Sequence, residues 1–344
     1  MKRRLVAMFL TAMMGATVLA GCGSKTEEAA PVSDAQAQTE NSAVSDAAAQ
    51  TGGEDVSSAE DEENYDTGDA SLDNPRNQDD IGENELLVVS FGTSYNDSRV
   101  ATIGAIENTL EEEYPEWSVR RAFTSQIIID HVKDRDGEEI DNVEEALERA
   151  IANGVKNLVV QPTHLMDGYE YNDLVDAVGE YADAFESVTI GDPLITSDED
   201  YERVTAAITE ATAEYDDGET AICFMGHGTE ADSNEIYAVM QDMFDAGGYE
   251  NYFMGTVEAT PSLDDVVAAV GEGNYTRVVL EPLMVVAGDH ANNDMAGDEE
   301  GSWKTTFEAA GYEVECVLRG LGEIEEIRDI YVEHAGEAIE EIEQ

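Results

Sequence analysis

The stretch that decides the fold reads VLEPLMVVAG over residues 279–288, and it has an earlier partner, VVQPTHLMDG over 159–168. In that pairing Gln161-Pro162 matches Glu281-Pro282, and Gly168 matches Gly288. Farther on, Asn172-Asp173-Leu174 matches Asn293-Asp294-Met295. A second pair sits upstream: VVSFGTS (88–94) resembles CFMGHGTE (223–230). A chain that repeats its own pattern in this way predicts two similar lobes with a cleft between them.

Around these repeats, short β-rich runs alternate with helical patterns. The runs fall at 86–91, 118–123, 157–161, 187–191, 220–225, 251–257, 277–286 and 312–318. Helical periodicity occupies roughly 96–113, 142–153, 170–185, 198–215, 233–246, 262–271, 299–310 and 322–342. Such alternation argues for an α/β fold with parallel sheets flanked by helices. Continuous apolar runs such as VVLEPLMVV suit strands covered on both faces. Open parallel sheets place ligands at the carboxyl ends of their strands, so the loops after the strands should line the cleft.

Composition narrows the function. The chain has 344 residues with 17 Lys+Arg against 78 Asp+Glu, a formal charge of -61. A nucleic-acid binder needs a basic face, and this chain lacks the means to build one. Docking on anionic lipid through a polybasic surface is disfavoured for the same reason. A hydrophobic content of 42% still permits a sizeable core. Three cysteines are too few for a disulfide scaffold. Cys223 and Cys316 lie in apolar strand-like runs and read as buried thiols.

The first 22 residues read as an export signal. Lys2-Arg3-Arg4 precedes an apolar run that ends in Leu19-Ala20-Gly21-Cys22. A charged start, a short apolar segment and small residues before a cleavage point define a secretory signal. The terminal Leu-Ala-Gly-Cys resembles a bacterial lipobox, which implies cleavage before Cys22 and a lipid on its thiol. The competing reading, a single transmembrane anchor, asks for a longer apolar run. Residues 23–83 are rich in Ala, Ser, Gly, Asp, Glu, Gln and Asn and carry almost no large apolar side chain, so they read as a disordered acidic spacer. The expected organisation is therefore signal (1–22), linker (23–83), first lobe (84–196) and second lobe (197–344). It places the mature protein outside the cytoplasm, tethered to the membrane by lipid.

Chemistry concentrates in the second half. His227 follows TAICFM within Gly226-His227-Gly228, Glu258 follows NYFMGTV, and His290 follows VVLEPLMVV within Gly288-Asp289-His290. The intervals are 31 and 32 residues, about one strand–helix unit each. Three neighbouring parallel strands, about 4.8 Å apart, would deliver these side chains to one rim. Two imidazoles and a carboxylate with open positions suit an exchangeable divalent transition metal. Taken singly, His227 also reads as a turn residue, and Glu258 and His290 as helix caps. Their common phase with the strand–helix repeat favours a site.

The first half offers a facing set. His164 follows the strand NLVVQ, and Glu170 opens the next helix. Together they suit proton acceptance from a substrate; Glu170 alone also reads as a favourable charge at a helix N-terminus. Ser90, Thr93 and Ser94 surround Gly92, a turn that suits a ligand carboxylate or a helix cap. His131 and His334 fall in helical stretches and read as surface residues. Neither GxGxxG after a strand nor GxxxxGK[ST] is present, and G-x-S-x-G and HExxH are also missing.

At these residues the chain resembles the anaerobic sirohydrochlorin cobaltochelatases, class II chelatases related to the ferrochelatases. The matching stretches are LLVVSFGTSYNDSR, RRAFTSQIII, VVQPTHLMDGYEY, CFMGHGTE, GTVEATP and EPLMVVAGDHANNDMAGDEEGSWK, spread from about Leu86 to Leu321. The resemblance implies a bilobal fold that inserts Co²⁺ into a metal-free tetrapyrrole, sirohydrochlorin, for cobalamin biosynthesis. It implies His227, Glu258 and His290 as metal ligands, with His227, His290 and Glu170 in catalysis and no organic cofactor. Because the substrate is a polyanion and the surface acidic, Arg99, Arg120 and Arg121 are expected to meet its carboxylates, beside His164, Ser90 and Thr93. Biosynthetic members are often cytoplasmic, whereas this chain begins with an export signal. That favours one alternative, a lipoprotein that captures metal, haem or a corrinoid without turnover; a chelatase for Fe²⁺ or Ni²⁺ is a second. A homo-oligomer is compatible with either.

Overall fold

The computed structural model describes residues 67–79 and 81–343; the signal, Cys22 and most of the acidic linker lie outside them. Eight strands form two four-stranded parallel sheets among the described residues. The first contains β1 (Asn84–Ser90), β2 (Ser118–Phe123), β3 (Asn157–Pro162) and β4 (Ser187–Ile190), in the order β2-β1-β3-β4. The second contains β5 (Thr220–Gly226), β6 (Tyr252–Thr256), β7 (Arg277–Pro282) and β8 (Glu313–Cys316), in the order β6-β5-β7-β8. The orders are identical once the second set is renumbered, so the sequence repeat is a repeat of topology. All eight expected strands are present. The seventh stops at Pro282 instead of 286, because the backbone turns there into the loop before His290.

Both faces of each sheet are covered. Along β1, Leu86 and Val88 enter one apolar cluster and Leu87 and Val89 another, and all four are fully buried. This is the two-residue alternation of a strand with no solvent face. The cluster of Leu86 and Val88 also takes in Ile222, Phe224 and Val279 of the second sheet, so the lobes share a core. The outer face of the second sheet packs Ala221, Cys223, Met225, Trp303 and Phe307. Cys223 is buried as expected and Cys316 half-buried.

Local signals set the helices. One helix, Val143–Asn153, opens on Asn142, whose side chain accepts from the Glu145 amide while Glu145 returns a bond to the Asn142 amide; it closes at Gly154 with φ 77°. Its buried stripe is Ala146, Leu147 and Ala150. Another helix, Gln126–Asp136, has no counterpart among the expected elements, because its apolar residues Ile127, Ile128 and Ile129 run together and mask helical periodicity.

Three features depart from the sequence reading. The last helix, Glu325–Glu343, was expected in the second lobe but lies on the first sheet. Its buried face, Ile327, Ile330, Tyr331 and Ala335, joins the cluster of Leu86, Val88 and Val159. Tyr331 Oη donates to the Thr163 carbonyl at 2.8 Å, and Thr189 Oγ1 to the Ala338 carbonyl at 2.9 Å. His334, expected on the surface, is buried on that helix, with Nδ1 3.2 Å from the Asp192 carbonyl and Nε2 3.3 Å from Asp200 Oδ1.

The third departure is the linker boundary. Residues 67–79, read as spacer, pack against the first lobe. The Asp73 carboxylate accepts from Arg99 Nε at 2.6 Å and from Arg121 Nη1 at 2.6 Å and Nη2 at 3.0 Å. Arg121 in turn forms a two-bond pair with buried Glu107. Arg76 lies 3.2 Å from the same Glu107, and its carbonyl accepts from Arg120 Nε at 2.7 Å. Composition treats these charges as solvated, yet each meets an opposite charge held inside the fold.

Burial alone would raise the Asp73 pKa, but the hydrogen bonds and charges of Arg121 and Arg99 win and hold it at about 2. The folded value lies below the unfolded one, so the stabilisation exists above pH ~4 and is lost as pH falls through about 2. Asp73→Asn should cost ~2 kcal/mol at neutral pH, since it removes the carboxylate that two buried guanidinium groups share and leaves Arg121 with Glu107 and Arg99 with Glu138. Urea unfolding at pH 7 and pH 3 checks this: the wild-type advantage should be smaller at pH 3. An unchanged gap would show that the Asp73 charge is not what secures the segment.

Candidate metal and tetrapyrrole site

The loops at the carboxyl ends of the strands carry the candidate residues in matched positions. Beyond β6, the Glu258 amide donates to the His227 carbonyl at 2.9 Å; beyond β2, the Ser125 amide donates to the Phe91 carbonyl at 3.2 Å. Phe91 and Ser125 are thus the first-lobe counterparts of His227 and Glu258. Gly168 and Gly288 each accept a bond from the side-chain amide of an asparagine four residues later, Asn172 and Asn292, both at 2.8 Å. That register makes Glu170 the counterpart of His290. The metal-type set belongs to one lobe, and a single carboxylate keeps the corresponding place in the other.

The turn after β5 depends on glycine. Gly228 has φ 90°, and a Cβ there would lie 2.8 Å from the Ala259 backbone nitrogen. This lets the His227 loop fold flat against the Glu258 loop. The His227 and His290 rings meet edge to face with centroids 4.7 Å apart, and His227 Nδ1 lies 4.0 Å from Glu258 Oε2. All three side chains are between a third and two-fifths exposed.

The hydrogen bond at Nδ1 of each ring sets its tautomer. His227 Nδ1 lies 2.8 Å from the Gly228 carbonyl, and His290 Nδ1 lies 2.6 Å from Asp294 Oδ2. A carbonyl or carboxylate only accepts, so each Nδ1 carries the proton and each neutral ring presents its lone pair at Nε2. Among the described residues, no three His, Cys, Asp or Glu side chains yet surround a common point closely enough to hold an ion. The three expected ligands are neighbours whose donor atoms must swing inward to share a cation. Their chemistry, two imidazole nitrogens and a carboxylate, fits a divalent transition metal.

Electrostatics differ on the two sides. Burial pushes His290 down, but the hydrogen bond and charge of Asp294, with Asp289 and Glu258, outweigh it and raise its pKa. His164 sits 3.8 Å from Glu170 through Nε2. Among the described residues neither of its ring nitrogens has a hydrogen-bond partner, and burial pushes it down to about 4. His164 is therefore neutral near pH 7 and a weak base, while Glu170 is half-exposed at the start of its helix, Tyr169–Tyr181.

Other expected contacts fall elsewhere. Arg99, Arg120 and Arg121 are fully buried and bind Asp73, Asp141 and Glu107, so they offer nothing to a substrate's carboxylates. Ser90 is buried and accepts from Thr163 Oγ1 at 2.7 Å. Thr93 is also buried; a side chain on Gly288 would come within 3.2 Å of its hydroxyl. A side chain on Gly168 would likewise lie 3.8 Å from Ser233 Oγ, and the Ala287 amide donates to Ser98 Oγ at 3.0 Å. The loops bearing Glu170 and His290 thus lie at the seam between lobes. Sequence reading used Asp294 only as a repeat match; its four-residue spacing from His290 was the available signal.

A family model described as cobalt chelatase (CbiK) matches residues 84–340. The sirohydrochlorin cobaltochelatase of Salmonella typhimurium is 38% identical over 254 residues, covering 74% of this chain and 96% of the relative. Sirohydrochlorin cobaltochelatase CbiKC of Nitratidesulfovibrio vulgaris is 31% identical over 256 residues, covering 74% and 90%. Among solved structures, the sirohydrochlorin chelatase SirB from Bacillus subtilis subspecies spizizenii, in complex with cobalt, shares the fold. Its TM-score is 0.50 over 76% of this chain and 97% of that one, at 14% identity.

The two flanks of the site should titrate apart. In metal-free protein, His290 should take up its proton above the ordinary histidine value of about 6.5, and His164 only near pH 4. With five histidines in the chain, an NMR titration of ring protons resolves them. Coincident midpoints for His164 and His290 would contradict the assigned environments.

Proposed function

The chain belongs to the cobalt chelatase family, and on that premise we propose that it inserts Co²⁺ into sirohydrochlorin. The observation that carries this reading is the approach of His227, Glu258 and His290 from three neighbouring strand ends, with the two rings 4.7 Å apart. Co²⁺ is the substrate metal. The two Nε2 lone pairs and the Glu258 carboxylate hold it at exposed positions, from which it can leave. The tetrapyrrole enters along the seam between lobes with its pyrrole nitrogens toward the ion. Insertion bonds the metal to all four ring nitrogens and releases the two N–H protons of the macrocycle, and Glu170 is the acceptor on the opposite lobe that passes them to solvent. Neutral His164 beside it adds no positive charge to the carboxylate. Acid should slow the reaction, because imidazole must be unprotonated to ligate and His290 protonates above the usual range.

The export signal and Leu19-Ala20-Gly21-Cys22 support an extracytoplasmic, lipid-anchored location. The same feature favours a second reading, a carrier that captures metal or tetrapyrrole without turnover.

Purified protein incubated with sirohydrochlorin and excess Co²⁺ separates these readings by the absorption change of the macrocycle. Repeated turnover is expected, falling more than ~100-fold in His227→Ala, beyond the loss typical of an outer-shell partner. One equivalent bound with no insertion would sink the enzyme and leave the carrier. For location, Cys22→Ala should move the protein out of the membrane fraction; unchanged fractionation would overturn the lipid anchor.

A further inference from the structure

The two lobes differ by one residue at the place that holds His290. Asn172 and Asn292 make the same bond to Gly168 and Gly288, so the repeats are in step up to that point. The next shared position is a buried apolar residue on the outer face of each sheet, Leu174 in the first lobe and Met295 in the second. Leu174 is six residues past Gly168, whereas Met295 is seven past Gly288. The second lobe absorbs the extra residue in a wide turn. Residues Ala291–Met295 form a π-helix, and the Ala296 amide reaches back five residues to the Ala291 carbonyl at 3.1 Å. Such single-turn widenings of a helix commonly mark functional sites.

The insertion changes which residue stands one turn beyond the key side chain. Four residues past Glu170 stands Leu174, committed to the core. Four residues past His290 stands Asp294, whose Oδ2 lies 2.6 Å from His290 Nδ1. The core residue is moved one place along, and the carboxylate takes the position facing the imidazole. His227 has only the Gly228 carbonyl in the equivalent role.

We propose that Asp294 is a positioning residue for Co²⁺ capture: it holds the Nδ1–H of His290 so that Nε2 faces the metal. This rests on the reading of His290 as a ligand. A ring without this partner turns about its side-chain torsions and divides between tautomers, so less of it presents Nε2 as a lone pair. Outer-shell partners of ligating histidines typically contribute 10–100-fold to metal affinity. The π-turn is the backbone device that supplies the partner.

The test uses the full-length protein, Co²⁺ alone and the visible absorption of bound Co²⁺, with circular dichroism to verify folding. Asp294→Ala should weaken Co²⁺ binding roughly 10–100-fold. Asp294→Asn keeps an oxygen that accepts from Nδ1–H and should retain most of the affinity and the wild-type spectrum. In turnover, the KM for Co²⁺ should rise in Asp294→Ala while that for sirohydrochlorin stays unchanged. Wild-type affinity in a folded Asp294→Ala protein would overturn the proposal. Equal loss in Asn and Ala variants would also overturn it, by making the carboxylate itself a ligand. Should the Ala variant fail to fold, loss of affinity in a folded Asn variant would still count against the proposal. His290→Ala separates the two levels: undiminished Co²⁺ binding there removes the ligand reading itself, whereas loss there with none in Asp294→Ala removes only the positioning role.

Discussion

Neighbouring parallel strands lie about 4.8 Å apart, and that spacing is the constraint on which the site depends. β5, β6 and β7 are adjacent in the second sheet, with β5 in the middle. His227 and Glu258 stand immediately beyond β5 and β6, and His290 returns to them on the loop that follows Pro282 at the end of β7. The sheet therefore does what a flexible chain would do only at an entropic cost. The hydrogen bonds at the two Nδ1 atoms finish the arrangement by choosing the nitrogen that each ring leaves open. Backbone supplies distance, and outer hydrogen bonds supply direction.

Duplication explains how two chemistries can share one fold. Phe91, Ser125 and Glu170 occupy the places that His227, Glu258 and His290 hold in the other lobe. The second lobe gathers two imidazoles and a carboxylate, donors that suit a borderline divalent cation, whereas the first keeps one carboxylate beside an uncharged imidazole. A reaction that brings a metal to one face of a macrocycle and removes protons uses an unequal pair of faces of this kind. The arginines of the first lobe take no part in it. They neutralise Asp73, Asp141 and Glu107 inside the first lobe, while Asp294, Asp289 and Glu258 make the surroundings of His290 acidic.

Strand–helix alternation and the repeat were legible because they depend on local periodicity and on residues such as Gly228 whose backbone role is particular. The spacing of His227, Glu258 and His290 was legible because it follows the strand–helix period. What stayed hidden depends on pairings between distant residues. Asp73 and Arg76 look like linker charges until Arg99, Arg121 and Glu107 are seen facing them. Arg120 and Arg121 look like anion contacts until their buried partners are known. The last helix carries an apolar stripe that fits either sheet, and only packing reveals that it returns to the first. Pairing Gly168 with Gly288 and Asn172 with Asn293 already leaves one extra residue in the second half, but its place after Asn292 and its meaning required the π-turn.

The central claim is that His227, Glu258 and His290 share one cation at the seam. X-ray absorption of the Co²⁺-loaded protein tests it most directly, because imidazole rings produce a characteristic outer-shell scattering. The account predicts two imidazole nitrogens and a carboxylate oxygen around cobalt, with one imidazole lost in His227→Ala. A shell of oxygens alone, unchanged in that variant, would contradict it.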